Sequence, residues 1–159
     1  MKTSARIPAS IGSGIACMAL VACGGGSDPN SPEYQAFVER DALMQDLGEA
    51  QELLNDMAAE SIPVDEAAFR AAAQTVAQRA SGMLGVFENQ TIVVESRTKP
   101  EVFTNWADFT AKHGELVTAA NALNEAASTG GFAAGRSLVA PLRETCGNCH
   151  RPYRGPVPE

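Results

Sequence analysis

Residues 132–155 read "FAAGRSLVAPLRETCGNCHRPYRG". Phe132, Gly135, Val139, Leu142, Cys146 and Cys149 recur at three- and four-residue intervals, the spacing of one helix face. Cys146 and Cys149 are i and i+3, and His150 is i+4 from Cys146, so two thiols and an imidazole share one sector of that helix. Pro141 lies inside the stripe. It removes a backbone hydrogen bond and crowds the preceding turn, which predicts a kink one turn before the cysteines.

An apolar helix face needs partners, and three earlier stretches supply them. Ser31-Pro32-Glu33 combines an N-cap, a first-turn proline and an acid. The stripe behind it is Phe37, Met44, Leu47, Leu54 and Met57 or Ala58, with Pro63 as the stop. Asp65 opens a second stripe of Phe69, Ala72, Val76, Ala80, Met83 and Phe87. Pro100 opens a third: Val102, Trp106, Phe109, His113, Leu116, Ala120, Leu123 and Ala127, ended by "STGG", residues 128–131. The β-branched run "TIVV", residues 91–94, is too short for a strand and reads as a loop or extended link. Four amphipathic helices predict an all-α fold, an antiparallel four-helix bundle, in which alanine-rich inner faces permit close helix approach.

The N-terminus reads as an address. Lys2 and Arg6 precede an uncharged stretch, residues 7–22, too short and too rich in Gly and Ser to span a membrane, so residues 1–22 are expected to be an export signal. "LVAC", residues 20–23, resembles the lipobox of bacterial lipoproteins, which implies lipidation of Cys23 and a periplasmic protein tethered to the outer membrane. "GGGSDPNSP", residues 24–32, reads as a flexible tether, so that residues 23–32 join the anchor to a domain over residues 33–155.

Removing residues 1–22 takes away two of the 12 Lys and Arg and none of the 19 Asp and Glu, changing the net charge from −7 to −9. That acidity argues against nucleic acid and against a polybasic hold on lipid, leaving the acyl chains as the membrane attachment.

Cys17 falls in the signal and Cys23 at the anchor, so Cys146 and Cys149 alone remain for chemistry. A disulfide between them would close a tiny loop and constrain little of the unfolded chain. Two thiols at this spacing can instead add across the two vinyl groups of one haem, with His150 ligating its iron. C-x-x-C-H is the sequence pattern of c-type haem attachment. Three readings compete. Structural zinc needs four ligands, and the other histidine is His113. A thioredoxin-like pair belongs at a helix start beside a strand. The third is coincidence.

The motif at the end of a four-helix chain resembles the class II c-type cytochromes, the cytochrome c′ family. "ERDALMQDLG", residues 39–48, is similar to the family's first-helix pattern, and "TKPEVFTNWADF", residues 98–109, to its third-helix opening. "TCGNCHRPYR", residues 145–154, is similar to its haem motif. The resemblance implies one covalent haem c held by Cys146 and Cys149, with His150 as proximal iron ligand. It also implies Arg154 near the proximal face, Arg40 beside a haem propionate and Met44 at the distal position. Departures are Phe103 where the family often has Trp, the link after Phe87, and Pro152.

Met44 leaves two functions open. As a sixth iron ligand it makes the protein a low-spin electron carrier; as a flexible core filler it leaves an open site for NO or CO. Electron transfer is expected under both schemes, with gas binding as the alternative. His113 is expected to be a core or propionate neighbour, and no arrangement of residues supports hydrolytic catalysis. The expected partners are redox proteins with a basic face, steered by the chain's acidity. The resemblance adds a homodimer through the first two helices. The exported, matured protein is expected to be coloured, and its haem should stay with the chain in acidified acetone; a colourless protein with the mass of bare chain plus lipid would exclude the haem reading.

Overall fold

The computed structural model describes residues 26–158; the expected export signal and Cys23 lie outside the described residues. The helices are α1 (Pro32–Ala58), α2 (Glu66–Gly82), the short α3 (Glu101–Thr104), α4 (Trp106–Gly135) and α5 (Val139–Tyr153). Local chemistry starts the first two. Ser31 accepts a hydrogen bond from the Tyr34 N–H at 3.2 Å, with Pro32 preset for the first turn. Asp65 accepts from the N–H groups of Ala67 and Ala68, both at 2.9 Å.

Helix α1 packs on α2, α2 on α4, α4 on α5, and α5 returns to α1, closing a ring of four. Contacts between helix ends set the directions. Arg136, just before α5, donates from Nε to the Ala58 carbonyl at the end of α1, 3.0 Å away. Arg70, early in α2, donates from Nε to the Ala127 carbonyl late in α4, also at 3.0 Å. His113, early in α4, donates from Nε2 to the Ala80 carbonyl late in α2, at 2.8 Å. Start meets end at the α1–α5 and α2–α4 seams, so these neighbours run antiparallel, and the chain is the expected four-helix bundle. Among the described residues there is no strand, only an isolated bridge between Thr98 and Arg154.

The second stripe is buried throughout: Phe69, Ala72, Val76, Ala80, Met83 and Phe87. Opposite them lie Leu116, Ala120, Leu123 and Ala127 of α4. Alanine on both sides lets the backbones close in, and Gly135 takes this furthest. A Cβ there would stand 2.7 Å from Phe69 Cε1 and 3.2 Å from Leu123 Cδ1.

Five details differ from the periodicity. In α1 the buried line is Ala36, Arg40, Leu43, Ala50, Leu54 and Met57, while Phe37, Met44 and Leu47 are half-buried beside it. This helix faces a cleft as well as the core, so its widest side chains line the cleft. Helix α1 also ends before Pro63, through Glu60 in the left-handed region at φ 59°. Glu60 pairs with Arg136 at 2.7 Å.

The third stripe is divided by Asn105, at φ −113° and ψ 42°. Val102 and Phe109 stay buried on either side of that break, so it leaves no mark in the pattern. "STGG" breaks α4 at a kink where its end is expected. Gly131 has φ 64° and ψ −153°, which turns the chain toward Phe132. Pro141 falls in the first turn of α5, where a missing N–H is tolerated. The disturbance it causes appears upstream, as a 3-10 turn over Arg136–Leu138.

Replacing Gly135 by Ala should lower stability by about 1–3 kcal/mol through overpacking against Phe69. Urea unfolding monitored by circular dichroism measures this; an unchanged midpoint would show that the α2–α4 seam can yield.

Candidate functional site

Helices α1 and α5 form the walls of a cleft with two lobes, of about 250 and about 440 Å³. Both lobes are lined by Met44 and Gly48 from α1 and by Cys149 and His150 from α5. Cys146 lines the larger lobe, and Arg40 and Arg154 the smaller. Residues expected to act together on helical spacing are therefore brought to one cavity with those expected on resemblance alone.

The thiols are free and half-buried. Burial pushes both upward from the ordinary range, Cys149 to about 11, with the neighbouring Cys146 adding to the effect on Cys149. At neutral pH they are thiols, not thiolates. That state is unsuited to a redox dithiol, whose attacking sulfur is a thiolate. His150 is more accessible than either cysteine. Partial burial, then the charges of Arg154 and Arg97, lower its pKa. Its imidazole is kept neutral, the form that ligates iron.

The alternatives weaken on geometry. His113 spends its Nε2 on the Ala80 carbonyl, so it serves as a tie between α2 and α4. Among the described residues, no group of three or more His, Cys, Asp or Glu is placed to hold a metal ion. No strand lies beside the cysteines for a thioredoxin-like arrangement. A cavity with two thiols on one wall, a neutral imidazole beside them and a thioether on the facing helix suits a covalently held haem. Cys146 and Cys149 would carry the links, His150 would take the iron, and Met44 would face the sixth position.

Arg40 is 3% exposed. Its Nη2 donates to the Thr91 carbonyl at 2.7 Å, Nη1 to Asn89 at 3.5 Å and Nε to Ala36 at 3.2 Å. Its guanidinium also stands 5.6 Å from the centre of the Phe87 ring. Arg40 thus fixes the loop behind Phe87 while lining the cleft, and burial lowers its pKa without removing its charge. The remaining hydrogens on Nη1 and Nη2 are what it could offer a propionate.

Sequence reasoning missed the residues that hold α5 in place. The segment 97–99 runs antiparallel to 153–155. Lys99 N donates to the Tyr153 carbonyl at 3.0 Å and Gly155 N to Arg97 at 2.7 Å. Lys99 Nζ donates to the Pro152 carbonyl at 2.9 Å, and Arg97 Nε to Gly155 at 3.0 Å. Buried Tyr153 donates to Asp108 Oδ2 at 2.5 Å. These partners are 45 residues or more apart in sequence, and no local pattern marks them. Gln51 was missed too. It is 8% exposed and lines the larger lobe, its Oε1 without a partner.

The family model described as Cytochrome C′ matches residues 35–154. The chain belongs to the cytochrome c′ family.

The cytochrome c′ of Allochromatium vinosum is 39% identical over 61 residues, a stretch covering 38% of this chain and 40% of that relative's length. The crystal structure of cytochrome c′ from Thermochromatium tepidum superposes with a TM-score of 0.69 at 31% identity, covering 81% of this chain and 100% of that one. Cytochrome c prime from Shewanella frigidimarina gives a TM-score of 0.72, covering 78% and 97%. At 21% identity, that second likeness shows the fold alone. As a cytochrome c′ the chain binds one covalent haem c.

The Tyr153–Asp108 bond has a measurable signature. Burial first, and then the bond to Asp108, push the Tyr153 hydroxyl up to about 12. A folded-state pKa above the unfolded value near 10 means that this contribution to stability is complete below about pH 10 and lost as pH rises toward 12. Tyrosinate absorbance in a Tyr34→Phe background should therefore titrate near 12. Tyr153→Phe should abolish that titration and flatten the decline of stability above pH 10. A midpoint near 10 would exclude the bond.

Proposed function

We propose that this cytochrome c′ carries electrons outside the cytoplasmic membrane, as a lipoprotein anchored through Cys23, with Cys146 and Cys149 linked to haem. His150 and Met44 would ligate its iron. When bound, the haem supplies an iron that exchanges one electron. The chain's own residues do the rest. The apolar side chains of the cleft exclude water, Arg40 and Arg154 offset the propionate charge, and the Met44 sulfur favours the reduced iron and raises the potential.

The observation that carries the reading is that Met44 and His150, on facing helices, line both lobes of one cleft. Residues 1–22 and the "LVAC" run support the location outside the cytoplasmic membrane and the anchor. The net charge supports transient redox partners with a basic face, and half-exposed Val38 on α1 supports pairing of two copies through α1 and α2.

One observation favours a second reading, in which the sixth position is open and the protein binds NO or CO. Gly48, one turn beyond Met44, has nothing within 4 Å of where a Cβ would stand, which leaves room in the cleft for Met44 to lie aside.

The two are separated by the absorption spectrum of the reduced protein. With Met44 as ligand, CO should leave the Soret band unchanged, and Met44→Leu should make it shift promptly and should lower the reduction potential. A prompt shift in the unmodified protein would overturn Met44 ligation and establish the gas-binding reading.

A further inference from the structure

Judged by total charge, the mature chain repels anionic lipid. Its charges are not evenly spread. Residues 89–100 and 151–159 contain Arg97, Lys99, Arg151 and Arg154, against Glu95 and Glu159. The backbone pairing of 97–99 with 153–155 brings these two stretches together. All four ion pairs of the described residues use other cations: Arg70, Arg79, Lys112 and Arg136. The same end of the bundle displays Ile92, Val94 and Val157, half of the exposed large aliphatic side chains among the described residues, with Val94 at 65% and Val157 at 69% exposure.

The N-terminal segment arrives at this place. Ser27 N donates to Glu95 Oε1 at 2.8 Å, so Glu95 is occupied by the chain leading from the anchor. Beyond it, Asn30 N bonds to Asp28 Oδ1 at 2.9 Å and Ser31 N to the Asp28 carbonyl at 3.0 Å, a turn that runs directly into α1. Gly26 is three residue steps from Cys23, a reach of at most about 10 Å.

We infer that the face formed by residues 91–99 and 151–157 seats the protein on an anionic lipid bilayer. Arg97, Lys99 and Arg151 meet the headgroups, and Ile92, Val94 and Val157 enter the interface. Its orientation, and the choice of a bilayer over a soluble partner, rest on the lipoprotein reading above; the affinity of the face for anionic lipid rests on its own charges and aliphatic side chains. Charge complementarity and the short reach from Cys23 select a bilayer over a soluble partner, since an exposed cationic and aliphatic surface within about 10 Å of an acyl anchor has lipid as its nearest neighbour. The smaller lobe of the haem cleft is lined by residues 95–98. Seating this face therefore turns that edge of the cleft toward the membrane.

Two measurements test this. In the first, the haem-loaded chain carrying Cys23→Ser is sedimented with vesicles of phosphatidylglycerol or of phosphatidylcholine. Binding should be confined to phosphatidylglycerol, fall with salt, and drop about tenfold or more in Ile92→Asp/Val94→Asp, a change that leaves the haem ligands untouched. No binding, or equal binding by parent and variant, would overturn the inference. In the second, the native lipoprotein is placed in the same anionic vesicles with a fluorophore on Val94→Cys or on Ile62→Cys at the opposite end of the bundle. Nitroxide-labelled lipid should quench the first several-fold more than the second. Equal quenching, or a Val94 label shielded by a protein and not by lipid, would overturn it. A mature mass lacking acyl chains removes the anchor reading alone, and the sedimentation result then decides the face.

Discussion

Two thiols and an imidazole serve one cofactor only while the helix bearing them keeps its azimuth. One residue of slip rotates α5 by about 100° and would turn Cys146, Cys149 and His150 out of the cleft. Much of what surrounds α5 prevents that rotation. Leu142 and Val139 are buried on its inner face, Tyr153 is held by Asp108, and the backbone beyond His150 is paired with residues 97–99. Pro152 withholds an N–H in the last turn, and its own carbonyl, free at the helix end, accepts from Lys99 Nζ.

The same constraint explains why the long link between α2 and α4 is not idle connection. Arg40 grips it at Asn89 and Thr91 from α1, and Arg97 and Lys99 grip α5 from its other end. Through it the two cleft walls are referred to a common piece of backbone. Burying a guanidinium for this purpose is costly unless its hydrogen bonds are made, and the three carbonyls supply them. The cation left facing the cleft is thus positioned before any propionate is present, which lowers the cost of binding one.

Electrostatics adds a separate lesson. Net charge describes encounters at distances where the molecule acts as a point, but lipid headgroups and docking partners meet one face at a time. A chain of net −7 can still gather four cations that take no part in its ion pairs among the described residues at one end, when an antiparallel contact joins two stretches more than 50 residues apart. Composition has no access to that arrangement.

Helix number, the three stripes behind Phe69, Phe109 and Leu142, the turn at Gly131 and the chemistry of C-x-x-C-H were legible from residue order. They depend on spacing, capping and local sterics, which act over a few residues. The family resemblance carried Met44, Arg40 and Arg154 to the cleft, where the structure places all three. Tertiary structure alone decided the phase of α1, the break at Asn105, the grip of Arg40 on the 89–91 loop, the Tyr153–Asp108 bond and the cationic end. Each of these joins groups distant in sequence, and their energies arise only once packing has removed water and brought the partners together.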